Sequence, residues 1–272
     1  MHILRRQLAA AAALLAPLCL HAQTVPTDPV AIVRAAVDSQ LAADRNDTTN
    51  WICRVTNGEP GHITVSTAVG SPQGELRRII EVNGRPADPA LVQSETDRIR
   101  AYIDSPSAQA ANHKSAVHDD QQATELLKML PTAFTWSIAS ETPSLITLNY
   151  RPNPNFEGPD MQSRVMSTMA GQLVINHTGD QYRIKTFRGA LVADYKIAYG
   201  MLGRLYKGGT FDVERSQIAP GYWEITDTHI HIAGHVLLFK TIGTQEDEVK
   251  SDCKPSPATS LRAAAALLGV TP

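Results

Sequence analysis

Between residues 134 and 244 strand-like segments follow one another almost without a break, and that run most limits the folds open to this chain. The segments read 135–140, 145–151, 165–175, 182–187, 191–199, 210–217, 222–232 and 236–244. Turn signals separate them at 177–180, at 207–209, at Pro220 and Gly221, and at Ala233 and Gly234. Strands joined by turns this short are antiparallel neighbours. Three further segments, 51–56, 63–69 and 75–82, precede this series, the last closed by the turn pair Asn83 and Gly84. A flat meander of this size would be unusual. The pattern therefore predicts a mainly β (α+β) fold, a half-open antiparallel β-barrel of about ten or eleven strands covered by helices.

The helices announce themselves by their caps. Asp28 followed by Pro29 is an N-cap with proline at the first helical position, and Val30, Val33, Val37 and Leu41 recur behind it at helical spacing up to about 44–46. Asp88 and Pro89 repeat the signal and open a helix to about Ile103. Residues 105–117 are small, polar and aperiodic, and read as a mobile loop; a short helix carrying Leu126, Leu127, Met129 and Leu130 follows, ended by Pro131. Alanines at 261–268 suggest a C-terminal helix.

At the N-terminus, Arg5 and Arg6 precede a charge-free run over 8–20 that is too short to span a bilayer as a helix. This predicts a secretory signal peptide, residues 1–22, cleaved after Ala22, with residues 23–272 forming one domain in the periplasm or outside the cell. The residue before Cys19 is Leu18, not the small residue that lipoprotein processing requires, so no acyl anchor is expected. The 25 basic and 27 acidic residues nearly balance, which gives no reason to expect nucleic acid as a partner. Once a signal is removed, Cys53 and Cys253 remain, and an exported compartment permits them to form a disulfide; two unpaired buried thiols are the alternative.

Several stretches carry a family resemblance. GQLVINHTGDQYRIKTF at 171–187 resembles the hairpin of the periplasmic lipoprotein-sorting proteins, the Lol carrier and its outer-membrane acceptor, where a glycine opens a strand and a turn rich in Asp, Asn or Thr follows. RPNPNF at 151–156, RVMSTMAG at 164–171, LGRLYKGG at 202–209 and HVLLFK at 235–240 resemble an uncharacterised secreted bacterial branch of that superfamily. The resemblance implies an open β-barrel with an apolar interior, closed by helices, that holds an acyl chain or similar lipid. It does not imply lipoprotein transport, because no carrier-specific or acceptor-specific residue matches.

The stretch DTHIHIAGH at 227–235 holds three of the nine histidines. On a strand, His229 and His231 share one face while Ile230 and Ile232 share the other, so inward isoleucines put the imidazoles in solvent. Two such histidines can supply part of a zinc site. Asp227 stands about 14 Å from His231 along a strand, too far to share one ion, and the solvent-facing reading is preferred over a metal site. The acidic run 246–248 reads as a solvated strand end or loop. No Gly-x-Ser-x-Gly elbow, His-Glu-x-x-His motif, phosphate loop or dinucleotide fingerprint occurs.

These readings predict a non-enzymatic protein with no catalytic residues, metal or cofactor, binding a lipid or a lipoprotein acyl chain. The expected cavity lining is Met166, Met169, Leu173, Ile175, Tyr182 and Ile184, joined by Tyr195, Ile197, Tyr199, Ile230 and Ile232. Core packing against the covering helices is the competing role for the same residues. The alternative function is an envelope scaffold with a filled interior that binds another protein through its surface. A metal-dependent hydrolase centred on His229 and His231 carries least weight.

Overall fold

The structure, a computed structural model, describes residues 28–271 apart from 179–180, 198, 200–202 and 237–239, and only the backbone of 235, 236 and 240–244. The expected signal peptide and Cys19 lie outside the described residues. Helix α1 (Pro29–Asn46) is capped by the Asp28 carboxylate, which accepts from the Val30 amide. Strands β1 (Trp51–Glu59), β2 (His62–Ser71) and β3 (Gly74–Val82) follow, and then the two-residue β4 (Arg85–Pro86). Asn83 and Gly84 both take positive φ, as the tight turn between β3 and β4 demands. Helix α2 (Pro89–Ile103) is capped by Asp88.

Helix α3 (Pro106–Ala133) overturns the loop expected at 105–117. Ser105 caps it and Pro106 opens it, the same cap-then-proline signal as in α1 and α2, and the alanines and glutamines behind them are good helix formers. No apolar period betrays the helix because all residues from 110 to 121 are exposed. Pro131 does not end it, and the helix runs on to Ala133.

The remaining elements are β5 (Phe134–Glu141), β6 (Leu145–Pro152), α4 (Met161–Met166), β7 (Met169–Thr178), β8 (Gln181–Leu191), β9 (Tyr195–Ile197), β10 (Gly203–Leu205), β11 (Thr210–Ala219), β12 (Tyr222–Val236), β13 (Lys240–Pro255) and α5 (Leu261–Leu267). The expected strand 165–175 starts only at Met169, because Val165 and Met166 end α4, which a reciprocal cap between Asp160 and Ser163 begins. Ala233 and Gly234 do not turn the chain. Gly234 sits inside β12, where a Cβ would lie 2.7 Å from the Arg204 carbonyl of β10, so the glycine serves close strand approach. Hence His235 lies in β12, and β13 takes in both the acidic run and Cys253.

All thirteen strands form one sheet, in the order β4-β3-β2-β1-β13-β12-β11-β8-β7-β6-β5, with β10 on β12 and β9 on β10. Every pairing is antiparallel, and the sheet is not closed into a barrel. Two large cores stand on it, and a small third cluster of Cys53, Val55 and Ala68 lies beside the disulfide. The larger gathers Ile32, Val33 and Val37 of α1, Met129 and Leu130 of α3, and Ile146, Leu148, Tyr150, Leu173 and Ile175 of β6 and β7. Gly171 and Gly189 pair across β7 and β8: Gly171 lets the two backbones approach, and Gly189 leaves room for Tyr150, whose hydroxyl donates to the Arg188 carbonyl at 3.2 Å. The smaller core packs Ile99 and Ile103 of α2 and Leu261, Ala264 and Ala265 of α5 on Val69 and Leu76.

The two cores occupy opposite faces of the sheet. Directly paired residues share a face, so the face of Ile230 continues through Glu246, and that of Thr228 through Glu248 to Asn57 and thence to Val55 and Cys53 on alternate positions of β1. Val69 pairs with Ile52 on the other face. Strand β13 lies where one covered face gives way to the other, and none of its described side chains is buried. Cys53 and Cys253 are joined there by a disulfide, with Cα atoms 4.2 Å apart.

Candidate functional site

His229 and His231 point away from the larger core and are 43% and 47% exposed at the side chain. Their partner is Asp247, directly opposite His229 on β13: one oxygen, Oδ1, lies 2.6 Å from His229 Nδ1 and 2.8 Å from His231 Nε2. These contacts, His229 first, hold the Asp247 carboxyl below its ordinary range. Among the described residues no group of three His, Cys, Asp or Glu is arranged to hold a metal ion. Asp227, the carboxylate weighed from sequence, is the wrong one, because the strand pairing that selects Asp247 joins positions 18 residues apart. Nor is 246–248 a strand end. Glu248 lies mid-strand, bonded to Arg77 at 2.7 Å and to Asn57 at 3.1 Å.

The residues expected to line a cavity are distributed unevenly. Met169, Leu173, Ile175, Tyr182 and Ile184 are buried in the larger core, and Met166, Ile230 and Ile232 pack on its margin. Helix α1 and the end of α3 fill the space in front of the buried set. Tyr195 and Ile197 are half-buried on β9. Tyr199, expected on the same face, is 95% exposed with φ +57°.

Open space lies elsewhere. A cleft of about 410 Å³ runs between α3 and the segment that leads into α4. Leu126, Met129, Phe156 and Pro159 supply its apolar lining, and His118 and Lys128 are among its polar groups. Helical spacing explains the α3 contribution: His118, Gln122, Glu125, Leu126 and Met129 fall on one stripe. No sequence signal paired this stripe with Phe156, since that contact depends on how the loop after β6 folds back.

A second region combines two adjoining clefts, of about 440 and 240 Å³, that share Thr49 and Glu224. The end of α1, the start of β1 and the β11–β12 turn converge here. Gly221, at φ +85°, makes that turn and presents Tyr222 and Trp223. Burial holds the Glu224 carboxyl above its ordinary range, with Lys250 and Arg215 opposing. Apart from the turn at Gly221, sequence reading passed over these residues, which come from five separate stretches of the chain: 43–55, 70–75, 183, 221–224 and 250.

Set against protein-family models, curated proteins and solved structures, the chain matches none. Among the described residues no helix is long and apolar enough to cross a membrane.

Proposed function

We propose that this is an exported, non-enzymatic protein that binds an acyl chain or a similarly slender lipid, built as a half-open barrel in the manner of the lipoprotein-sorting fold it resembles. The supporting observation is the cleft between α3 and α4, where Leu126, Met129, Phe156 and Pro159 offer apolar surface beside a polar margin. Each methylene buried there contributes about 0.8 kcal/mol before the cost of ordering the chain. The reading moves the ligand from the sheet's interior to the outer side of α3, since the interior set is already packed.

The test is native mass spectrometry of protein purified from the periplasm, followed by titration of delipidated protein with a fluorescent fatty acid. Retained lipid, or uptake that Leu126→Asp abolishes without loss of helical signal, supports the reading. An apo mass together with no uptake overturns it.

The filled interior favours a second reading, an envelope scaffold that binds another protein through its surface. Crosslinking in the periplasm distinguishes the two: a single protein captured by way of residues 110–121, with no lipid in the purified sample, supports the scaffold.

A further inference from the structure

The paired clefts at Glu224 are unrelated to the apolar cleft on α3 and have a different chemistry. Trp51 and Tyr222 meet edge to face, with ring centroids 5.3 Å apart and an interplanar angle of 71°. Tyr222 is 39% exposed, and Trp223 stands beside it on the same wall. Aromatic faces offered to solvent next to hydrogen-bonding groups suit a ligand that is apolar on one side and polar on the other.

The charges nearly cancel. Asp44 is tied to Arg215 at 3.3 Å, and Glu75 to Arg77 at 2.6 Å. Asp47 accepts from the Thr49 amide. Lys250 lies 4.0 Å from Glu248, which leaves Asp47 and Glu224 beside Arg183, a mixed set with no strong excess of either sign. A strongly cationic or anionic ligand finds no net attraction here. A neutral ligand rich in hydroxyl groups finds both donors and acceptors.

Unused hydrogen-bonding capacity collects at the same place. The half-buried Glu224 carboxyl makes no hydrogen bond among the described residues, and burial holds it above its ordinary range. Trp51 Nε1 and Arg215 Nε are buried with no partner among the described residues. Arg215 holds Asp44 and contacts the Trp223 carbonyl at 3.4 Å, so both orphaned donors border the clefts. Buried donors without partners are costly to the folded state. A hydroxyl-bearing occupant that drew either side chain outward would relieve that cost.

We infer that the paired clefts at Glu224 bind a neutral saccharide, a sugar face lying on Tyr222 and Trp223 while ring hydroxyls reach Glu224 and Lys250. Two of the three tryptophans of the chain, Trp51 and Trp223, line the site, so intrinsic fluorescence reports occupancy.

The full mature chain is titrated with maltotriose, cellotriose and triacetylchitotriose, with spermidine and inorganic phosphate as charged controls. The expected result is saturable quenching by at least one trisaccharide, weakened about tenfold or more by Tyr222→Ala and by Glu224→Ala. Circular dichroism establishes that each variant is folded. If Tyr222→Ala is not, Glu224→Ala and the conservative Tyr222→Phe, expected to retain binding, decide the matter. Absence of saturation by any trisaccharide up to about 10 mM overturns the inference. So does binding that the folded variants leave unchanged, or saturation by spermidine or phosphate alone. Fatty-acid uptake at the α3 cleft is independent of every one of these outcomes.

Discussion

The two ends of the sheet solve the same problem on opposite faces. At the β5–β8 end, large residues such as Tyr150, Leu148 and Leu173 meet α1 and the end of α3 on one face. At the β1–β3 end, the other face meets α2 and α5 through a smaller core in which Ala258, Ala264 and Ala265 bring the backbones close. Between them β13 contributes no buried side chain among those described. What joins the ends is mainly polar and covalent: the Asp247 contacts with two histidines, Glu248 between Arg77 and Asn57, and the disulfide, with only the small apolar cluster of Cys53, Val55 and Ala68 beside it. The contrast teaches that one continuous hydrogen-bonded sheet can carry two large, separate hydrophobic cores, with little apolar packing at its middle.

The disulfide tests that division most severely. Its sequence separation is 200 residues, and in the chain-entropy model a loop of that length favours the folded state by about 5 kcal/mol, which strain or residual structure reduces. The Cys53→Ala, Cys253→Ala double variant should lose up to that amount in urea denaturation. If the cores are as separate as the packing indicates, its transition should broaden or split. One sharp transition with an unchanged midpoint would break the comparison.

Next in size is Leu148→Ala, a fully buried residue of the larger core, expected to cost about 2–5 kcal/mol. Hydrogen exchange locates the damage. Amides of β6 and β7 should lose protection while those of α2 and β3 change far less.

Glu95 sharpens the other side. Its carboxylate accepts from the Ile79 amide at 3.0 Å and takes the Arg98 guanidinium at 2.7 and 2.8 Å, which ties α2 to β3. The Arg98 contact, ahead of the opposing burial, holds the Glu95 carboxyl below its ordinary range. Glu95→Ala should cost about 1–3 kcal/mol at neutral pH. Because the folded value is depressed, the wild-type advantage is fully present above the unfolded value of about 4.3 and is lost as pH falls through the folded one. Denaturant midpoints of both proteins from pH 7 to pH 3 check the sign, and a gap that widens in acid would refute it.

The smallest effect belongs to Asp247→Asn. The site is partly exposed, so about 1 kcal/mol or less is expected, fading with added salt. Thermal melts at low and high ionic strength measure it.

How far the sequence could be read follows the same division. Strand alternation and two Asp-Pro caps located α1, α2 and most strands, because each signal is local. Residues 105–117 were missed although Ser105 and Pro106 repeat the cap, since an exposed helix carries no apolar stripe. Gly234 misled because a glycine demanded by a neighbouring strand looks the same in sequence as one demanded by a turn. Asp247, Glu224 and Phe156 could not be picked out as site residues at all, for their partners are set by register and by loop return.

Helix α3 also fixes a distance. It begins beside the end of α2, where Gln109 bonds the Tyr102 and Ile103 carbonyls, and it passes directly into the edge strand β5. Its 28 residues span about 42 Å at 1.5 Å per residue. The strut thus sets the gauge between the layer covering β3, near one margin of the sheet, and the strand at the other. Lengthening it by whole turns, within the exposed stretch 110–121 where nothing packs tightly, would retune the curvature of the sheet without touching either core.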